Sequence, residues 1–151
     1  MNVSRITENL LVGTTPARAD FERLHGMGVR LVINMRLLWG RPPTGIPLKY
    51  LRLRTFDSPL LPIPTQSLLR GTHAALQVIQ DGGSVFAHCS RGRHRSVAMA
   101  AAILIAQGLS PEAAMQLIQE RRPQADPGAA HIRGRILEFD RAWHKGSALT
   151  A

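Results

Sequence analysis

The sequence predicts an α/β fold: a single domain over 1–151, with a central, mostly parallel, twisted sheet of four or five strands flanked by helices. Three observations carry that prediction. Short apolar runs that read as buried strands alternate with longer segments of helical period. A length of 151 residues suits one domain and leaves little room for a second. The longest irregular stretches, Arg36–Pro47 and Asp57–Pro64, are proline-rich and lie between periodic segments, as loops of one domain do.

The elements follow in order. Leu10-Leu11-Val12 reads as a short strand ending at Gly13. Thr15-Pro16 reads as an N-cap followed by proline at the first helical position. That helix carries Phe21 and Leu24 on one face and stops near Gly26 and Gly28. Val29–Asn34 is apolar enough to be a strand buried on both faces. Lys49–Arg54 alternates as another strand. Thr65–Gln80 places Leu68, Leu69, Leu76 and Ile79 near helical spacing. Asp81-Gly82-Gly83 is a turn, and Ser84–His88 is the strand that follows it. Val97–Gln107 is apolar nearly all round, the mark of a buried helix. Ser110-Pro111-Glu112 opens a further helix with a cap, a proline and an acid in its first turn. Pro127–Trp143 closes the pattern, with Ile132, Ile136, Phe139 and Trp143 on one face.

Composition narrows the function classes. Hydrophobic residues make up 44% and charged residues 19%, which excludes a disordered chain. The apolar run Val97–Ala106 is too short for a bilayer span, so no membrane span is expected. The N-terminus has no apolar core or cleavage pattern, so no secretory signal is expected either. A single cysteine excludes an internal disulfide framework and a zinc site built on several thiolates, and a cytoplasmic, reducing location is the default. The net charge of +9 favours anionic partners. All of the 19 basic residues except Lys49 and Lys145 are arginine, so a compositional bias explains the charge equally well. No basic block is long enough to read as a nucleic-acid tail, and no strand is rich in aromatic residues for stacking bases.

The informative segment is Cys89-Ser90-Arg91-Gly92-Arg93-His94-Arg95-Ser96, which joins a strand end to a helix start. That arrangement collects backbone N–H groups around one point and aims the positive end of the helix dipole at it, a nest for a tetrahedral oxyanion. Gly92 permits backbone angles that a β-carbon disfavours. Arg95 begins or immediately precedes the helix, and its planar fork can hold two phosphate oxygens. Amides, dipole and arginines all favour the Cys89 thiolate. A thiolate facing bound phosphate is placed for in-line attack on phosphorus.

The run His88-Cys89-Ser90-Arg91-Gly92-Arg93-His94-Arg95-Ser96 resembles His-Cys-x-x-Gly-x-x-Arg-Ser/Thr, the signature of the cysteine-dependent protein tyrosine phosphatase superfamily. The order of elements from Leu10 to Trp143 is similar to its compact dual-specificity branch. The resemblance implies a phosphomonoester hydrolase that works through a phospho-cysteine, with no metal or organic cofactor. It implies Cys89 as nucleophile, Ser90 to Arg95 as phosphate-binding loop, and Ser96 as the hydroxyl that eases departure of the thiolate. Ser96 could also cap the helix. His88 takes an orienting, hydrogen-bonding role. The family also needs a general acid from an upstream loop. Between Arg23 and Gln80 the sequence offers one carboxylate, Asp57. Alone it would read as an Asx turn before Pro59. Beside Cys89 and Arg95 it reads as the acid.

Substrate selection is open at this point. Arg91, Arg93 and His94 fall at variable loop positions. They suit phosphoproteins, or a polyanion such as a phosphoinositide or an RNA 5′ phosphate. Equally, the two arginines could point outward and only raise the on-rate. Trp39 and Arg41 could line the rim or pack down on the domain. Arg121-Arg122-Pro123 resembles a segment that many family members carry, but Asp126 stands where asparagine is common. The six histidines show no close pair at ligand spacing, so no metal site is expected. A monomer is expected. The rivals are a sulfurtransferase or arsenate reductase, which needs no Asp57, a non-catalytic phosphate-binding module, and a nucleic-acid binder driven by charge. Low-molecular-weight tyrosine phosphatases carry the same cysteine–arginine spacing near the N-terminus, which Cys89 at mid-chain argues against.

Overall fold

The computed structural model describes the backbone of residues 1–150 and the side chains of residues 1–146. The elements are β1 (Val3–Thr7), β2 (Leu10–Thr14), α1 (Asp20–Gly26), β3 (Val29–Arg36), β4 (Lys49–Thr55), α2 (Thr65–Gln80), β5 (Ser84–Cys89), α3 (Arg95–Ala106), α4 (Pro111–Arg121) and α5 (Ala130–Thr150). The strands form one sheet in the order β1-β2-β5-β3-β4. β1 runs antiparallel to β2, and every other neighbour pair is parallel.

Parallel strands covered by helices on both faces must be apolar on both faces. Leu10, Val12, Leu31, Ile33, Val85 and Ala87 point to one side, into the core shared with α2 to α5. Leu11, Val29, Val32 and Phe86 point to the other, against Phe21 and Leu24 of α1. Each fully buried side chain of this size contributes about 1.5–3 kcal/mol. Helix α3 lies at the centre, with every residue from Arg95 to Ile105 buried. Its alanines let neighbouring helices approach closely. At the α2 crossing, a β-carbon on Gly71 would come within 2.4 Å of Met99 Sδ, so a side chain there would have to displace the Met99 tip.

Beyond shifts of one or two residues at element ends, three features differ from the sequence reading. Strand β1 went unread because it is a short, polar edge with Ile6 as its one buried residue. Helix α1 begins at Asp20 rather than Pro16. The Ala17 N–H donates to Asp20 Oδ2 at 2.8 Å, closing a turn ahead of the helix. Thr15 caps nothing; its hydroxyl donates to the Cys89 carbonyl at 3.2 Å. Helix α5 starts at Ala130, beyond Pro127.

In an open parallel sheet the strand carboxyl ends gather where ligands bind. Here those ends are Thr14, Arg36, Thr55 and Cys89, with Cys89 on the central strand β5. A cavity of about 420 Å³, lined by Arg30, Lys49, Val78, Asp81 and Gly83, opens at the other end of the sheet and has neither cysteine nor histidine in its lining.

Candidate active site

Residues 90–94 form a tight loop between β5 and α3. Its carbonyls are held from behind. Thr15 binds the carbonyl of Cys89, and the Asp126 N–H binds that of Arg93 at 3.0 Å. Arg122 is fully buried; it donates to the Gly92 carbonyl at 2.7 Å and the Arg91 carbonyl at 3.3 Å. In a trans peptide the carbonyl and the next N–H point in opposite directions, and no peptide here is cis. Four carbonyls pulled backward therefore turn the N–H groups of Ser90, Gly92, Arg93 and His94 forward. Gly92 makes the geometry possible at φ 63°. A β-carbon there would also meet Arg122 at 2.5 Å and the Gly13 backbone at 2.8 Å.

Cys89 sits at the floor of this nest, 3% exposed, with Sγ 3.2 Å from Ser96 Oγ. Burial pushes its thiol up. Hydrogen bonds from the Ser96 hydroxyl and from the Ser96 and Gly92 amides, with the charge of Arg95, outweigh burial and leave it below the ordinary thiol value. Arg95 is the first residue of α3. Its guanidinium donates to Thr55 O at 2.8 Å, Met35 O at 3.3 Å and Ser90 Oγ at 3.3 Å, while its buried Nε has no partner among the described residues. The carbonyl that receives its shortest bond follows Arg54, a non-glycine residue held at φ 41°. Such strain gathers at functional sites.

Asp57 lies on the loop after β4 and faces the nest. Its Oδ2 is 3.0 Å from His94 Nδ1 and its Oδ1 is 2.8 Å from His131 Nε2. Burial pushes its carboxyl up, but the hydrogen bonds to His131 and His94 and the charge of Arg95 hold it below the ordinary carboxylate range. The expected acid thus stands over the expected nucleophile loop. Arg36, Leu38, Trp39, Phe56, Asp57 and Arg95 line a cavity of about 170 Å³.

The remaining expectations divide. Arg93 and Arg91 are exposed, and Arg93 Nε donates to Gln124 O at 3.2 Å, turned aside from the cavity. His88 is buried and stacks on Phe86 at 5.6 Å. Its ring nitrogens make no hydrogen bond of ordinary geometry among the described residues, although the Cys89 backbone beside the ring favours its protonated form. Burial pushes its pKa down to about 3, which keeps the ring neutral. Trp39 lines the cavity, with Arg36 stacked 5.8 Å from its ring, whereas Arg41 lines a separate groove together with Pro16 and Phe21. Sequence reasoning missed Arg36, Arg122 and His131. It also found no paired histidines, yet His94 and His131 meet on Asp57, brought together by the fold from distant segments.

No family model matches the chain. Dual specificity phosphatase 28 of Mus musculus is 33% identical over 127 residues, which cover 82% of this chain and 76% of that protein. The chain belongs to the cysteine-dependent phosphatases, in their dual-specificity branch. This phosphatase is also 34% identical over 158 residues to the phosphatidylglycerophosphatase and protein-tyrosine phosphatase 1 of Rattus norvegicus, covering 97% of this chain and 78% of that one. Among solved structures, human DUSP28 superposes on the phosphatase with a TM-score of 0.85 at 26% identity, covering 95% of this chain and 99% of that one. PTPMT1 in complex with PI(5)P gives a TM-score of 0.82 at 31% identity and 99% coverage of both.

Proposed function

We propose that this phosphatase removes phosphate from phosphotyrosine, and from phosphoserine or phosphothreonine, with Cys89 as nucleophile and Asp57 as proton donor. The observation that carries the reading is the convergence of a stabilised thiolate, forward-turned amides and a facing carboxylate. In the first step the Cys89 thiolate attacks phosphorus, the bond to the leaving oxygen breaks, and Asp57 protonates that oxygen. The hydrogen bonds to His131 and His94 favour the ionised form of Asp57 in the free protein. A phosphate dianion beside it adds negative charge and favours its protonated form. In the second step Asp57 takes a proton from water, which displaces Cys89 from phosphorus, and the Ser96 hydroxyl stabilises the departing thiolate. Loop amides and Arg95 hold the equatorial oxygens through both steps.

A second reading has its own support. Leu38 and Trp39 at the cavity rim are 73% and 65% exposed, and Phe56 beside them is also exposed. An apolar rim around an anion site suits a phosphoinositide, the ligand in the PTPMT1 complex. We read the setting as cytoplasmic, since a lone reactive thiolate needs reducing surroundings, and take the monomer as the working state. Among the described residues no helix is long and apolar enough to cross a membrane. The test is hydrolysis of p-nitrophenyl phosphate and of phosphotyrosine across pH. Cys89→Ser is expected to abolish turnover while phosphate still binds. Wild-type protein that binds phosphate without turning over would make this a phosphate-binding module.

A further inference from the structure

Asp57, His94 and His131 come from three segments: the loop after β4, the residue before α3 and the first turn of α5. One ligand atom from each lies within 4.8 Å of the other two. The rings of the two histidines meet edge-on with centroids 5.0 Å apart. Two imidazole nitrogens and a carboxylate oxygen form a donor set for zinc and similar cations rather than for magnesium or calcium. A second observation points the same way. The far nitrogen of His94, Nε2, faces Asp126 Oδ2 at 3.3 Å. A carboxylate on the far nitrogen fixes the tautomer and raises the basicity of the ligating nitrogen, and metal-bound histidines carry such a partner. Asp126 is itself anchored through its N–H to Arg93 O. The Asp57 carboxylate also offsets the nearby charge of Arg95. The side chains of Asp57, His94 and His131 are 36%, 21% and 19% exposed, so a cation reaches them from solvent.

We propose that Asp57, His94 and His131 bind one divalent cation of the zinc class, and that this cation inhibits the phosphatase by taking the carboxylate that donates the proton. Binding stands on the donor geometry alone; inhibition rests on the reading of Asp57 as the acid. The cation accepts a lone pair from each imidazole and from one carboxylate oxygen, and water fills the fourth position. Each imidazole binds through a bare nitrogen and keeps one proton on the other, His94 on Nε2 toward Asp126 and His131 on Nδ1; only a proton beyond that one passes to solvent, with no change of oxidation state. Ligand distances of about 2.0–2.2 Å require the three side chains to draw together around the ion from this arrangement. A carboxylate engaged by metal no longer protonates the leaving oxygen.

The experiment titrates the Cys89→Ser protein, which lacks the competing thiolate, with zinc chloride in an isothermal calorimeter. One equivalent is expected to bind. In the same background His131→Asn should weaken binding about 100-fold or more, and Asp126→Asn about 10-fold or more. His73→Asn on α2, remote from the site, should leave it unchanged, and magnesium chloride should not compete. Circular dichroism confirms that each variant is folded. No zinc bound to Cys89→Ser, or an affinity unchanged by both His131→Asn and Asp126→Asn, overturns the site. Wild-type protein hydrolysing phosphotyrosine should lose activity with zinc and regain it with EDTA, and His131→Asn should need a higher zinc concentration. Zinc binding with the expected histidine dependence but without inhibition overturns the inhibitory role and the assignment of Asp57 as proton donor, while leaving the site itself in place.

Discussion

The floor and the rim of the active site are built on opposite principles. At the floor, Cys89, Arg95 and Arg122 are buried, and apart from Arg95 Nε their hydrogen bonds run to backbone carbonyls or to Ser90, Ser96 and Ser4. At the rim, Asp57, Leu38 and Trp39 are exposed, and Asp57 is held by two histidines rather than by backbone. On the proposed mechanism the floor is a fixed anion cradle that every phosphomonoester uses in the same way. The rim then supplies what differs between substrates: the proton for the leaving group and the surface that receives the rest of the molecule. Rigid, pre-paired donors stabilise charge without reorganisation, while proton transfer needs a group whose charge can change.

Changes at the rim should therefore depend on the leaving group, and changes at the floor should not. The largest effect expected is Asp57→Asn, which should slow kcat about 10²–10⁴-fold on alkyl phosphates. The loss should be far smaller on p-nitrophenyl phosphate, whose leaving group departs without a proton. Equal losses on both substrates in steady-state assays would break the comparison. Next comes Arg122→Met, which strips partners from the Gly92 and Arg91 carbonyls. One buried carbonyl left unpaired costs about 1–3 kcal/mol. In a domain of this size each such kcal/mol lowers Tm by about 2–4 °C, readable by calorimetry. Activity should fall by a similar factor on every substrate.

A subtler change at the floor is Ser96→Ala. Burial already pushes the Cys89 thiol up, and the Ser96 hydroxyl is the foremost group opposing it. Its removal raises the thiol pKa, so less thiolate is present at any pH on the acid side of the titration. The rate of alkylation by iodoacetamide should then rise at a higher pH than in the wild type. An unchanged profile would show that the amides and Arg95 suffice. The smallest effect belongs to Trp39→Ala, which should raise KM about two- to tenfold for aryl phosphates, the size of one aromatic contact. Inorganic phosphate should inhibit as before.

The floor was legible in the sequence because its chemistry is local. Cys89, Gly92, Arg95 and Ser96 lie on one strand–loop–helix segment, and residue spacing alone brings them together. Asp57 was legible by elimination, as the one carboxylate in a long stretch. The supports were not legible. Arg122 reaches Gly92 and Ser4 across distant sequence, and nothing in Arg121-Arg122-Pro123 says which arginine turns inward. His131 and Asp126 meet Asp57 and His94 only because α5 packs beside the loop, so histidine spacing gave no sign of them. The departure at Asp126 gains a physical account here, since its carboxylate faces the His94 ring. Strand β1 escaped notice because a polar edge strand lacks the continuous apolar signal that marks β3 and β5.

The central claim is that phosphate passes through Cys89. The most direct test mixes wild-type protein with excess p-nitrophenyl phosphate, quenches in acid within the first turnover, and maps the peptides by mass spectrometry. A phosphoryl group on the Cys89 peptide, absent in Cys89→Ser, is the predicted result. Steady turnover with no adduct, or an adduct on another residue, would contradict it.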